Sequence, residues 1–430
     1  RGERVAPNAV RLEEFVNYFE YDYPAPDGGE PFSVQVELGE CPWRPEHQLA
    51  KIGLQGMEVE LEERGDANRV FLIDVSGSMK DANKLPLVRE AMLALLKELR
   101  PEDKVGIVTY ADRAEVVLKP TACAKAMKIR RAIEALEAGG STHGSDGVRK
   151  AYALAAQHYV EGGINRVILS TDGDFNVGVT ERRELEALIT RQAKSNVFLT
   201  VLGFGTGNLK DANLETLADK GNGHYAYIDR FAEARRVLDR QLMATLVTIA
   251  KDVKVQVEFN PARVGAHRLL GYENRALAAR DFNDDAKDAG EIGAGHQVTA
   301  LYELIPAGMG PEPGVDPLRY QPASARPAAP AETEGELFTV KLRYKAPEGE
   351  ESVKREIPVK GPARPVEACG EDFKFAAAVA AFGMKLRGSA HLGNGDFEMI
   401  RALAEAGKGE DAERQAFIDL VVTAKLRYAR

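Results

Sequence analysis

Cysteine is scarce in this chain, and the cysteines that are present lie far apart. The sequence has three, Cys41, Cys123 and Cys369, and no CxxC pair. This spacing excludes a disulfide framework and argues against a thiolate zinc site. Because free cysteines are usually buried, we interpret all three as packed thiols. A bridge between Cys41 and Cys369 is the alternative if the chain is exported.

The chain also lacks an excess of positive charge and any long apolar run. Lys and Arg number 57 against 66 Asp and Glu, which gives a formal net charge of -9. Nucleic acid and anionic membrane surfaces require a basic face, so neither is expected as the main partner. No apolar run approaches the roughly 20 residues that span a bilayer. The sequence begins at Arg1 and not at Met, as expected if a leader has been removed, so targeting cannot be read from the residues that remain.

Between residues 67 and 249, short apolar strands alternate with helical patterns. RVFLID, VGIVTY and RVILSTD, which begin at Arg69, Val105 and Arg166, are nearly continuous apolar runs. Such runs are typical of strands that are buried on both faces of a parallel sheet. The last helical pattern of the segment covers about 231–249. We therefore predict a doubly wound, mainly parallel α/β domain over 67–249.

On either side of this segment the apolar residues alternate with a period of two, which indicates strands. We predict that the α/β domain is inserted in a β-rich, sandwich-like domain. In this prediction residues 1–66 form an N-terminal helix and β segment, and the strands of 250–360 pair with those of 31–61. Residues 361–430 form a helical C-terminal segment, with an apolar stripe that includes Phe373, Ala377 and Met384. The Pro- and Ala-rich stretch before Leu337 is predicted to be a flexible surface loop.

Three loops of the α/β domain carry oxygen ligands. Asp74, Ser76 and Ser78 follow the first strand, Thr142 precedes a helix, and Asp172 follows the strand RVILSTD. Ligands bind at the carboxyl ends of strands in such sheets, so these side chains are expected to meet there. Two carboxylates and three hydroxyls are hard ligands that suit Mg²⁺, with Mn²⁺ or Ca²⁺ as alternatives. The set leaves coordination positions open for water or an outside ligand.

These three loops, DVSGS, GGST and STDGD, resemble the metal-ion-dependent adhesion site of von Willebrand factor type A (VWA) domains. The resemblance covers about residues 67–249. It implies that Asp74, Ser76, Ser78, Thr142 and Asp172 hold one divalent cation. It also implies that an Asp or Glu carboxylate of a partner protein fills the open position.

The flanking segments resemble a narrower bacterial family, the YfbK-like proteins. RLEEFVNYFEYDYP, CPWRPEHQL and DFKFAAAVAAFGMKLR carry this resemblance, together with DVKVQVEFNP, GYENRAL and DFNDDAKDAGEIGAGH. Many members are exported and anchored to lipid, which implies a location at the cell envelope. The leading hypothesis is therefore a metal-dependent adhesion or scaffold protein that is not an enzyme. A cytoplasmic VWA adaptor that works with an AAA+ ATPase is the alternative, and a metal-dependent hydrolase is a third.

Other polar patterns have simpler interpretations. We interpret Asp174 as a turn residue and His143 as solvated, although either could lie beside the metal or its ligand. Ser76, His143 and Asp172 could form a triad, but the serine is not in a GxSxG elbow. The acidic run that begins at Asp281 (Asp281, Asp284, Asp285 and Asp288) lacks EF-hand spacing, so we interpret it as an exposed turn. GFGTGN at 203–208 lacks the GK[ST] of a phosphate loop.

Overall fold

A computed structural model shows two compact units, each with its own core. The structure describes residues 7–59, 65–141, 144–173, 179–205, 211–238, 247–272, 282–284, 290–309, 335–347, 349 and 351–428. The inserted unit consists of Glu58–Lys251 and Gly290–His296. The discontinuous unit consists of Arg1–Met57, Asp252–Ala289 and Gln297–Arg430.

The regular elements follow one another along the chain. The strands are β1 (Phe32–Cys41), β2 (Arg44–Gly56), β3 (Ala67–Asp74), β4 (Lys104–Tyr110), β5 (Ala114–Ala122), β6 (Ile164–Thr171), β7 (Phe198–Phe204), β8 (Tyr225–Ile228), β9 (Thr248–Phe259), β10 (Val264–Leu269), β11 (Gly290–Gly293), β12 (Gln297–Pro306), β13 (Glu336–Lys345) and β14 (Ser352–Lys360). The helices are α1 (Leu12–Val16), α2 (Leu85–Glu98), α3 (Ala126–Glu134), α4 (Gly144–Gln157), α5 (Val179–Ala193), α6 (Asp211–Lys220), α7 (Phe231–Arg236), α8 (Glu371–Arg387), α9 (Phe397–Gly407) and α10 (Ala412–Tyr428).

The inserted unit contains the predicted α/β sheet. Its six strands lie in the order β5-β4-β3-β6-β7-β8. Neighbouring strands are parallel except β4 and β5, which are antiparallel. Every residue of the central strand β3 is buried. The doubly wound, mainly parallel fold is therefore confirmed.

Alternate residues of β3 face two separate cores. Phe71 and Ile73 pack with residues of α2, α3 and α7, whereas Val70 and Leu72 pack with residues of α4, α5 and α6. This follows from the period-two geometry of a strand, because successive side chains point to opposite faces. A strand with a helix layer on each face has no solvated side, which explains its continuous apolar sequence.

The discontinuous unit is built on antiparallel sheets. One sheet has the order β1-β2-β12-β10. In it β2 pairs with β12 from Gln48 to Gln55, so a strand before the inserted unit is hydrogen-bonded to a strand after it. A second sheet contains β9, β13 and β14, and β13 pairs with β14 in antiparallel fashion. Phe32 of β1 contacts Tyr344 of β13 with ring centroids 4.8 Å apart, so the two sheets are in contact at this point.

The C-terminal helices complete the core of the discontinuous unit. The ring of Phe375 on α8 contacts Phe19 at 4.8 Å and Phe417 on α10 at 5.5 Å, measured between centroids. An added Cβ at Gly383 would lie 2.4 Å from Leu12, so this glycine allows α1 to approach α8 closely. The apolar stripe predicted on α8 is buried, but it includes only some of the buried residues of this helix. The helix is apolar nearly all round and is buried on all sides.

One expectation from the sequence needs correction, and the interpretation of the three cysteines as packed thiols is confirmed. The helix predicted over 231–249 does not reach its predicted end, because Thr248–Phe259 is the strand β9. The alternation that marks β9 begins at Ile249, within the residues we had assigned to the helix. The three cysteines are free and buried, and the structure contains no Cys41–Cys369 bridge. Burial raises the pKa of the Cys41 thiol to about 12, as for an unreactive core residue.

We expect the fragment 58–251 to unfold cooperatively by itself and the fragment 252–430 to remain unfolded. The first retains the six-stranded sheet and both of its cores. The second loses β1 and β2, which leaves an edge of β12 open. It also loses Trp43, which is fully buried in the core formed with α8. Thermal melts followed by circular dichroism test both fragments. A cooperative, monomeric transition of 252–430 would contradict this prediction.

Candidate metal centre at the carboxyl edge of the parallel sheet

Asp74, the last residue of β3, is the most buried of the predicted ligands. It has no exposed surface, because β3 lies in the middle of the sheet. Its Oδ1 accepts a hydrogen bond from the backbone N–H of Ser76 at 2.9 Å. Its Oδ2 accepts one from the hydroxyl of Thr171, at the end of the neighbouring strand β6, at 3.3 Å. These contacts fix the carboxylate at the carboxyl edge, the edge at which the parallel strands end.

The loop after β3 brings two hydroxyls together. The Oγ atoms of Ser76 and Ser78 lie 3.0 Å apart. Gly77 lies between the two serines, and its N–H donates to the carbonyl oxygen of Gly140 at 2.9 Å. The N–H of Gly139 donates in turn to the carbonyl oxygen of Val75 at 2.7 Å. The loop after β3 is therefore held against the loop that leads to Thr142.

Asp112 holds this second loop in place. It follows β4 at the same edge of the sheet, and its Oδ1 accepts hydrogen bonds from the backbone N–H of Ser141 at 2.8 Å and from its hydroxyl at 2.6 Å. Gly140 has a φ of +83°, and an added Cβ would lie 2.5 Å from Asp112 Oδ2. Only glycine suits such a backbone conformation at so close an approach. Thr142 itself lies outside the described residues, as do His143 and Asp174.

Asp172 follows β6 and faces a lysine. Its Oδ2 accepts a hydrogen bond from Lys84 Nζ at 3.0 Å, and the same ammonium donates to the carbonyl oxygen of Ser78 at 2.9 Å. The side chains of Lys84 and Asp172 are 15% and 5% exposed, so this ion pair is largely shielded from water. One cation thus already links the loops that carry Ser78 and Asp172.

The electrostatics of the edge favour a further positive charge. Burial raises the pKa of the Asp74 carboxyl above its ordinary value, hydrogen bonds from Ser76 oppose this shift, and the charge of Asp172 adds to it. The two carboxylates are therefore close enough to repel each other. A divalent cation beside both would remove this repulsion.

The donor set fits Mg²⁺. In the described part of the chain, no group of three or more His, Cys, Asp and Glu side chains could hold a metal ion. Here two carboxylates are combined with hydroxyl oxygens. Adjacent ligands of an octahedral Mg²⁺ shell, at about 2.1 Å from the ion, are about 3.0 Å apart. The separation of the two serine Oγ atoms, 3.0 Å, matches this spacing.

The structure thus brings together Asp74, Ser76, Ser78 and Asp172, and the role of these residues in metal binding stays a prediction. Of the other patterns, residues 206–208 of GFGTGN lie outside the described residues, as do Asp281, Asp285 and Asp288. Sequence reasoning missed Lys84 and Asp112. Asp112 could have been found, because it follows a strand at the carboxyl edge; no local pattern marks Lys84.

No helix in the ranges that the structure describes is both long and apolar enough to cross a membrane.

Three family models match the chain. The model for the von Willebrand factor type A domain matches residues 69–241, and the model described as "Uncharacterized protein YfbK, C-terminal" matches residues 244–426. A third, described as "von Willebrand factor", matches residues 1–51. The site residues therefore lie within the VWA match.

Individual relatives agree with these matches. The YfbK protein of Escherichia coli (strain K12) is 42% identical over 424 residues, which are 96% of this chain and 72% of that protein. The inter-alpha-trypsin inhibitor heavy chain H4 of Homo sapiens is 31% identical over 199 residues, which are 44% of this chain and 20% of that protein. A solved structure, the von Willebrand factor type A protein from Catenulispora acidiphila, has a TM-score of 0.48 and 15% identity, and the match covers 91% of this chain and 89% of that one.

A VWA domain indicates protein–protein interaction or adhesion, and VWA domains commonly bind a divalent metal at an adhesion site. VWA domains are generally found in interaction or scaffold proteins. The identity to the Escherichia coli protein extends over almost the whole chain, through the VWA domain and both flanks. The chain therefore belongs to the YfbK family of bacterial VWA proteins.

Proposed function

We propose that this protein captures partner proteins through a Mg²⁺ ion at the carboxyl edge of the inserted unit. The observation that carries the proposal is the meeting of two buried carboxylates and two hydroxyls at one point of the sheet. Asp74 and Asp172 would supply the negative charge, and Ser76, Ser78 and Thr142 would supply neutral oxygens. The resulting site would bind Mn²⁺ or Ca²⁺ as well, since its donors are hard oxygens.

The ligand set explains why the partner should offer a carboxylate. Hydroxyl ligands carry no charge, so they fill coordination positions without neutralising the ion further. Mg²⁺ sites in proteins usually keep positions that water or an outside ligand occupies. An Asp or Glu side chain of a partner protein is a hard anionic ligand that suits such a position.

We propose the bacterial cell envelope as the place where this binding occurs. The proposal rests on the resemblance of the flanking segments to the YfbK-like proteins, many of which are exported and lipid-anchored. Fractionation of cells of the source bacterium, followed by detection of the native protein with an antibody, tests it. Recovery in the soluble cytoplasmic fraction would contradict it.

Capture of partners should depend on metal and on Asp74. The immobilised protein is incubated with solubilised envelope proteins in Mg²⁺, washed, and eluted with EDTA. We expect EDTA to release the specifically retained proteins, and Asp74→Asn not to retain them. Glu102→Gln is the control, because it removes the same charge from an exposed side chain before β4, at the opposite edge of the sheet. Retention that is unchanged by EDTA and by Asp74→Asn would refute metal-dependent capture.

A further inference from the structure

Lys84 occupies a position in which a cation is surrounded by oxygens of the candidate site. Its Nζ lies 3.0 Å from Asp172 Oδ2, 2.9 Å from the carbonyl oxygen of Ser78 and 3.7 Å from Asp81 Oδ2. The first two oxygens belong to residues that carry predicted metal ligands. The ammonium thus binds one of the two carboxylates on which a divalent ion would depend.

The path of the lysine side chain is built into the fold. Its stem passes Gly205, which follows β7 at the same edge of the sheet and has a φ of +92°. A Cβ at Gly205 would lie 2.7 Å from Lys84 Cε and 3.0 Å from its Cγ, so any other residue there would displace the stem. The carbonyl oxygen of Gly205 accepts a hydrogen bond from the Tyr227 hydroxyl. The glycine therefore leaves a groove that fits the extended lysine.

We propose that Lys84 is an internal cation that competes with the divalent metal for Asp172 and so lowers the affinity of the site. In the metal-free protein its single charge offsets part of the repulsion between Asp172 and Asp74. When the divalent ion binds, the two cations repel each other across Asp172, and Lys84 must leave or weaken its contact. The inference rests on the proposed function, because it needs a metal at this edge.

A purely structural ion pair would behave differently. It would stabilise the fold equally with and without metal, and its loss would leave metal affinity unchanged or weaker. A competing cation stabilises only the metal-free protein, because the two cations exclude each other at the same carboxylate. The sign of the change in metal affinity therefore separates the two roles.

Lys84→Met, which keeps most of the apolar stem and removes the charge, tests the inference. We expect calorimetric titration to show Mg²⁺ binding about 10-fold tighter than in the wild type, from loss of one repelling charge in a partly buried site. In EDTA the melting temperature of Lys84→Met should be lower than that of the wild type. In saturating Mg²⁺ the two proteins should melt at the same temperature. Lys84→Arg retains the charge and should remain within about twofold of the wild type in affinity.

Lys97→Met is the charge-matched control, since Lys97 is exposed in the last turn of α2, and it should leave Mg²⁺ affinity unchanged. Wild-type binding with equal or weaker binding by Lys84→Met would overturn the inference and leave the proposed function intact. If neither protein binds Mg²⁺, the proposed function fails, and the inference fails with it. Binding by Lys84→Met alone would support competition by Lys84 but would contradict the proposed function of the wild-type protein.

Discussion

Replacing Asp74 by asparagine is expected to weaken Mg²⁺ binding at least about 100-fold. Loss of a group that only orients a metal ligand typically reduces metal affinity about 10- to 100-fold. Loss of a charged ligand itself should therefore reduce metal affinity by at least about 100-fold. The carboxylate is fully buried, so water cannot replace it readily. Calorimetric titration of the wild type and of the variant measures the effect.

The same variant should remain folded. Since burial raises the pKa of the Asp74 carboxyl, the charged form is disfavoured in the metal-free protein. An asparagine of the same shape can still accept the hydrogen bond from Ser76 N–H without carrying that charge. We therefore expect its melting temperature in EDTA to equal or exceed that of the wild type. Residues that serve function often lower the stability of a protein, so replacing them can raise it. Glu102→Gln, at an exposed position before β4, should change neither quantity, and equal metal affinities of all three proteins would show that Asp74 is no ligand.

Replacing Asp103 by alanine is expected to destabilise the inserted unit by about 3–5 kcal/mol. Asp103 precedes β4 at the opposite edge of the sheet and is fully buried. Its Oδ2 lies 3.2 Å from Arg69 Nη1, and its Oδ1 accepts a hydrogen bond from the N–H of Ala67 at 3.1 Å. Because Arg69 is only 1% exposed, removal of the carboxylate takes a counter-ion away from a buried positive charge.

Native-state hydrogen exchange measures this loss within the inserted unit alone, on peptides from β3, β4 and β6. Asp66→Ala is the control, because its ion pair with Arg100 at 2.9 Å involves a carboxylate that is 52% exposed. Such a surface pair contributes up to about 1 kcal/mol. If Asp103→Ala lowered the free energy of unfolding by less than about 1 kcal/mol, other groups or water would be compensating the charge of Arg69, and the prediction would be wrong.

The sequence was sufficient for features that depend on one strand or one loop. The four residues between Arg69 and Asp74 are all apolar because β3 is covered by helices on both faces, so the strand could be predicted. Asp74 and Asp172 could be assigned to one site for a similar reason. Each directly ends or follows a strand, and parallel strands end at the same edge.

Features that depend on contacts between particular side chains from distant parts of the chain could not be predicted. The ion pair of Lys84 with Asp172 joins residues 88 positions apart, and the groove for its stem depends on a third segment, at Gly205. Likewise, α8 is surrounded by packing from α1, α9 and α10, so its alanines are buried on every side. Alanine is found in both buried and exposed helix faces, so the sequence alone predicted only one stripe.

The central claim is that one divalent cation binds where the first loop and Asp172 meet. A crystal structure of the wild-type protein grown with Mn²⁺, with data collected at the manganese absorption edge, tests it most directly. We predict a single strong anomalous peak within coordinating distance of the hydroxyls of Ser76 and Ser78, with Asp74 and Asp172 bound directly or through water. The ammonium of Lys84 should then be displaced from Asp172. A map without a peak at this edge, with the ion pair between Lys84 and Asp172 intact at saturating Mn²⁺, would contradict the account.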